Sequence, residues 1–247
     1  MGREPCRWNR LHTRNALRQG QRDYREKMNA GQSPFLPVLD DILQNVPVEN
    51  QIPLGQVEIP LELLVGTKTS GRTAAFASNF MPLLGLKTEF ATKWINLCVS
   101  HVDEGIRDPI TCYEYMGRFY VQEGNKRVSV LKYFDASSIT GNVTRVVPQY
   151  SDDPAVQMYY EFMHFYPVMQ NYLLTFTKPG SYARLQKKFW ARRRTKSGLT
   201  RIEPRSYRCT TGSRRRFWPT AAHSCSVPSA TCCCFCCAST PRRSWPI

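Results

Sequence analysis

The chain has 247 residues with 42% hydrophobic side chains, enough for one domain or two small ones around a real core. Its formal charge of +15 would point to a polyanionic partner if it were evenly spread. It is not: residues 188–247 hold 13 Lys and Arg against one acid, Glu203, and residues 1–187 hold 21 basic against 18 acidic groups, so global charge carries no argument for nucleic-acid binding by the larger part.

Cysteine is skewed in the same way. Only Cys6, Cys98 and Cys112 precede residue 188 and seven follow it, which argues for a reducing compartment and against a disulfide framework. The N-terminus lacks an apolar signal core, and its sixth residue is neither Ser nor Thr, so neither secretion nor myristoylation is expected. No stretch approaches the roughly 18 apolar residues of a transmembrane span. The expectation is a cytoplasmic protein that does not enter a membrane.

In chain order, residues 7–27 read as a helix with a basic stripe, Arg7, Arg10, Arg14, Arg18, Arg22 and Arg25, at three- and four-residue spacing. Such a stripe is read as a solvated face in preference to a nucleic-acid arm. Ser33-Pro34 breaks that helix, 38–43 forms a short apolar one, and Pro47, Asn50 and Pro53 make a turn-rich joint. Val57-Glu58-Ile59 starts a strand that Pro60 ends or pushes to an edge. A polar loop over 66–73 and a small-residue helix over 74–80 follow.

Residues 88–102 give an amphipathic helix with Phe90, Trp94, Leu97, Cys98 and His101 on one face; His101 is read as a satisfied, half-buried side chain. Strand 110–115, a turn at Met116-Gly117 and strand 118–122 make a hairpin. Gly124 opens a helix to Phe134, Gly141 ends the next turn, and 143–147 is the closing strand, stopped by Pro148. Beyond Asp152, Tyr159, Tyr160, Phe162, Phe165, Tyr166, Tyr172 and Phe176 could stack on bases. With few basic residues interleaved, a core or interface is preferred.

The segment after Lys187 shows no helical or strand period, and it contains the run Thr231-Cys232-Cys233-Cys234-Phe235-Cys236-Cys237. Adjacent cysteines cannot all turn toward one tetrahedral ion, and no C-x-x-C pair with His partners is present. Read one base out of frame, Cys-Cys and Phe-Cys junctions encode Leu, so 232–237 becomes an apolar Leu/Phe run. Phe189-Trp190-Ala191 likewise becomes Leu-Gly. A frameshift near Lys187 accounts for the tail, and no regular structure is expected over 188–247.

The strand-turn-helix at 120–134 is the most specific chemical feature. A glycine lets the backbone approach a ligand, and the helix behind it aims free N–H groups and a positive dipole end at an anion. Lys126 and Arg127 fall in the first turn, where cations oppose the dipole, a cost that a bound phosphate would offset. The alternative is a hairpin-to-helix corner with solvated charges. Gly66 to Thr73 nearly spells a P-loop, but Arg72 stands where Lys is needed. That stretch is either a second anion loop facing Gly124, with Lys68 and Arg72 as phosphate contacts, or an ordinary exposed turn.

Phe119-Tyr120-Val121-Gln122-Glu123-Gly124-Asn125-Lys126-Arg127-Val128-Ser129-Val130 resembles the signature of the ParB/sulfiredoxin superfamily. Glu104-Gly105-Ile106-Arg107-Asp108-Pro109-Ile110 is similar to its helix end and strand entry, and 57–64 and 142–148 to its first and last strands. The resemblance covers roughly 95 residues. It implies an α+β fold, a small mixed sheet with packed helices, over 50–150. It also implies binding of a nucleotide's phosphates, CTP or ATP with Mg, by Glu123, Gly124, Asn125, Lys126, Arg127 and Ser129.

More narrowly, Val65-Gly66-Thr67-Lys68-Thr69, Phe76-Ala77-Ser78-Asn79-Phe80-Met81-Pro82 and Glu123 to Phe134 resemble the N-terminal region of bacterial proteins that carry a C-terminal basic-membrane-protein (BMP family ABC transporter substrate-binding) domain. That C-terminal domain is expected as a missing part of the same polypeptide. Asn125 stands where sulfiredoxin chemistry needs a cysteine, and 151–187 shows no helix-turn-helix, so neither sulfinic-acid reduction nor DNA partition is expected. The resulting division is a helical segment 1–49, the ParB-like domain 50–150, an aromatic-rich helical extension 151–187 and an out-of-frame tail 188–247. The expected function is a nucleotide- or phosphate-binding regulatory module, at most a weak NTPase with no identifiable catalytic residue. The alternatives are a DNA-binding or nuclease-like domain and an interaction domain for the missing partner.

Overall fold

Alternation builds the sheet. In the strand Ile110–Tyr115 (β3) Ile110, Cys112 and Glu114 are buried and the residues between them are half-buried. In Arg118–Glu123 (β4) Phe119 and Val121 turn to the same core. The computed structural model of the protein describes residues 5–196, with the side chains of residues 5–10, 72 and 190–196 outside the description. The expected tail beyond residue 196, including the cysteine run, lies outside the described residues.

The fold is α+β, as expected. A five-stranded mixed sheet has the order β1-β5-β3-β4-β2, with β1 at Val48–Pro60, β2 at Leu64–Thr67 and β5 at Ser138–Pro148. β1 runs antiparallel to β5, β5 parallel to β3, β3 antiparallel to β4, and β4 parallel to β2. The helices are α1 (Pro5–Asn29), α2 (Leu39–Leu43), α3 (Glu89–Asp103), α4 (Asn125–Tyr133), α5 (Pro154–Met169) and α6 (Ser181–Lys196). Two short 3₁₀ segments, Leu61–Leu63 and Ser70–Ala75, flank β2.

One face of the sheet carries the main core. Ile59, Ile110, Cys112, Phe119, Val121 and Val143 pack with Val128 and Leu131 of α4 and with Tyr159, Phe162, Phe165, Tyr172 and Tyr182 from the region of α5 and α6. The aromatic segment is therefore core, and it belongs to the same core as the sheet. α3 lies outside α4 through Trp94, Cys98 and Val130, where Ala16 of α1 joins them. The opposite sheet face is covered at Tyr120 and Val146 by Leu39 of α2. Arg14, Arg18, Arg22 and Arg25 of α1 are exposed, and Arg22 makes a long, exposed ion pair of 3.8 Å with Glu26 one turn on.

Several local expectations are corrected. The joint over 47–53 is not a turn but the first half of β1. This is an edge strand, and Pro53 is accommodated at a register shift between Pro53 and Gly55, where Gly55 takes φ +75°. Gly141 does not end a turn: it is paired with both Val57 and Ile110, and a Cβ there would lie 2.6 Å from Ile59 Cδ1, so it is glycine to let Ile59 and Ile110 close over it. The helix expected over 74–80 is absent. Ala77 and Met81 close a turn with Phe80 at φ +66°, held to the chain at Pro34 by the Ser78 N–H. α6 runs through Lys187 to Lys196, past the expected start of the unstructured tail.

Thr88 caps α3 by accepting from the Ala91 N–H at 3.2 Å, and Asp153 caps α5 by accepting from the Ala155 N–H at 2.8 Å; these side chains account for where the two helices begin. His101 is half-buried against Phe134, ring centroids 5.1 Å apart, as expected for packing. Its Nδ1, however, is buried without a hydrogen-bond partner, so the expectation of a satisfied histidine is corrected.

Candidate functional site

β4 delivers the chain directly into α4 through Gly124, which adopts φ +103° as the residue before the helix. A side chain there would be strained by the backbone angle, and its Cβ would lie 2.5 Å from Ile110 Cγ2. Only glycine permits this close turn. Gly124 supplies no side-chain cap, and the first intrahelical bond runs from the Val128 N–H to the Gly124 carbonyl at 3.1 Å. The N–H groups that precede Val128 in the first turn therefore have no partner within the helix.

That helix start opens into a cavity of about 560 Å³. Its floor is Gln122, Glu123, Gly124 and Asn125, with Lys126 and Arg127 beside them. α3 forms a wall with Phe90, Lys93, Asn96, Leu97 and Ser100. Lys126 Nζ lies 4.8 Å from the centroid of the Phe90 ring, and Lys93 is paired with Glu89 one helical turn away. Arg127 Nη1 donates to the Pro109 carbonyl at 2.8 Å, which ties the helix start to the entry of β3. Asn125 is 7% exposed and its Oδ1 has no hydrogen-bond partner, an orphaned buried acceptor in the first turn of the helix.

The structure thus brings Glu123, Gly124, Asn125, Lys126 and Arg127 to one cavity. Ser129 is placed otherwise: fully buried, its Oγ accepts from the Trp94 indole N–H at 2.9 Å and fastens α4 to α3. Lys68 does not join them. Its Nζ donates to Asp40 Oδ1 at 2.9 Å and sits 5.1 Å from the Tyr113 ring centroid, beside α2. The side chain of Arg72 lies outside the described residues.

Gly66 belongs to β2 and not to a phosphate-wrapping loop; a Cβ on it would stand 2.2 Å from the Pro37 carbonyl oxygen, and that close approach explains the glycine. Cys98 and Cys112 are buried, and desolvation pushes both thiols up to about 12, so they are inert as nucleophiles.

Lys93, Asn96 and Ser100 did not stand out in the sequence. The signal was available in their spacing, which places them on one face of α3 next to its apolar stripe, yet nothing in the sequence shows that this face meets Gly124. Missed entirely was a buried polar network on the core face of the sheet. Arg145 of β5 and Glu114 of β3, both within 1% of complete burial, form an ion pair through Arg145 Nε and Glu114 Oε2. The Tyr159 hydroxyl donates to the same carboxylate at 2.8 Å, and Arg145 Nη2 donates to the Tyr172 hydroxyl at 2.7 Å.

What the fold defines is an α+β domain with a cavity at the N-terminus of a helix that follows an interior strand of the sheet. No protein-family model, curated protein or solved structure matches the chain. Among the described residues, no helix is long and apolar enough to cross a membrane.

Proposed function

We propose that this chain is a nucleotide- or phosphate-binding regulatory module of the ParB/sulfiredoxin type, with the ligand's phosphates at the start of α4. The observation that carries this reading is the meeting of three features in one cavity: first-turn N–H groups with no partner within the helix, the Lys126 and Arg127 side chains beside them, and the buried Asn125 Oδ1, an acceptor open to a hydroxyl or amino group of a nucleotide. Cations at a helix N-terminus are unfavourable to the dipole, and an anion between them and the helix offsets that cost. A volume of about 560 Å³ lies inside the range of about 300–1,000 Å³ of small-ligand sites.

ATP or CTP with Mg is the ligand class the resemblance implies. Glu123 is the carboxylate on the cavity floor available to a phosphate-bound Mg ion, which keeps most of its water and needs only one or two protein carboxylates. Nucleic acid is the weaker reading. The exposed arginines of α1 favour it, and the near balance of charge over residues 1–187 opposes it.

Isothermal titration of the full chain with ATP, CTP, GTP and UTP in Mg tests the proposal. One nucleotide should bind, more weakly at high salt, because an exposed phosphate site is screened. Lys126→Ala should weaken it at least about tenfold, the size of one charge-assisted hydrogen bond. A folded chain that gives no heat with any of the four, and shifts instead on a DNA gel, overturns the reading.

A further inference from the structure

We propose that Lys132 is a reactive amine that captures small, uncharged, hydroxylated aldehydes or ketones as a reversible imine in a second cavity, at the C-terminal end of α4. This cavity, of about 340 Å³, is lined by Gln19, Glu62, Asn79, Met81, Lys132 and Asp135 among others, and shares no residue with the cavity at Gly124. The two sites stand or fall separately.

The lysine is held in an unusual way. Its Nζ donates to the Leu64 carbonyl at 2.8 Å and sits 4.9 Å from the centroid of the Phe80 ring. Among the described residues, no carboxylate lies within ion-pair distance of it. A cation so desolvated without a counter-charge favours its neutral form. Burial pushes the Lys132 amine down to about 8 from the ordinary lysine value of 10.5. At pH 7 that raises the free-base fraction about 300-fold over an ordinary lysine, and the free base is the nucleophile.

The chemistry balances without any redox partner. The Nζ lone pair attacks the carbonyl carbon, the carbonyl oxygen takes up a proton, and the resulting carbinolamine loses one water as the C=N bond forms. Glu62 and Asp135 line the same cavity and are the groups available to carry those protons. Their carboxylates also select the ligand. They accept hydrogen bonds from hydroxyl groups and repel a carbonyl compound that is itself an anion, such as an α-keto acid. Leu61, Met81 and Ala136 supply the apolar contact.

The test uses the full chain with glycolaldehyde and cyanoborohydride, which reduces imines and traps them on the lysine, followed by peptide mass mapping. At pH 7 Lys132 should be labelled at least about tenfold faster than the exposed Lys87 and Lys178, and this lead should shrink as pH rises from about 8 toward about 10.5, where the exposed lysines lose their protons too. Lys132→Arg should lose this adduct and keep those at the exposed lysines. Pyruvate should label Lys132 more slowly than glycolaldehyde, and a chain carrying Glu62→Gln with Asp135→Asn, both exposed positions, should narrow that gap. Labelling of Lys132 no faster than Lys87, or only in urea, overturns the proposal. The mapping on the unsubstituted chain decides the matter even if Lys132→Arg does not fold.

Discussion

Arg145→Met should destabilise the protein by about 3–5 kcal/mol, the cost of leaving a buried charge without its partner. The magnitude follows from where Glu114 sits. It is completely buried, and its carboxylate accepts from Arg145 Nε, from the Tyr159 hydroxyl at 2.8 and 2.9 Å, and from the Gly117 N–H at 2.7 Å. Neutral donors remain after the substitution, but the opposing charge does not. The guanidinium is also stacked among rings, its Cζ 5.0 Å from the centroid of Tyr166 and 5.8 Å from those of Phe162 and Tyr172. The methionine chain keeps some of that packing and none of the hydrogen bonds.

Since whole domains are stable by only about 5–15 kcal/mol, the loss is large enough to read directly in urea unfolding followed by circular dichroism. The pairing itself is isolated by a cycle. Glu114→Gln together with Arg145→Met should cost about 1–3 kcal/mol less than the two single changes added, because the double substitution strands no charge. Strict additivity, or a single-variant cost below about 1 kcal/mol, would refute the view that this pair holds β3 and β5 to the α5 region.

Two further outcomes are expected. Ser129→Ala should cost about 1–3 kcal/mol by stranding the Trp94 indole N–H, while leaving nucleotide affinity unchanged in titration; a loss of affinity at full stability would return Ser129 to the ligand site. Lys132 should make stability rise with pH. Its amine titrates near 8 when folded and near 10.5 when unfolded, so between those values the unfolded chain binds the extra proton and is penalised as pH climbs, for a total of about 3 kcal/mol. Urea midpoints of the unsubstituted chain should climb between pH 8 and 10 relative to those of Lys132→Met, and parallel profiles would show that Lys132 is not desolvated. Above pH 10 the buried tyrosines act in the opposite sense, since burial raises Tyr159 and Tyr172 and the unfolded chain loses those protons first.

Where a rule is local, the sequence by itself determined the result. Thr88 before an amphipathic stripe, Met116-Gly117 between alternating strands, and a lone glycine between strand and helix each act over a few residues, and α3, the β3–β4 hairpin and the start of α4 stand where those residues place them. The five cavity residues from Glu123 to Arg127 were legible for the same reason: they are consecutive. Decisions between distant segments were made only by tertiary packing. β2 pairs with β4 across more than fifty residues, Lys68 turns to Asp40 instead of Gly124, and Pro53 extends along an edge because β5 offers it a partner. The wall that α3 gives the cavity and the buried Arg145–Glu114 pair are of this kind too. A charged residue in a strand reads as solvent-facing until the opposite charge arrives from another strand, and that arrival is a property of the assembled sheet, where desolvation makes each charge depend on the other.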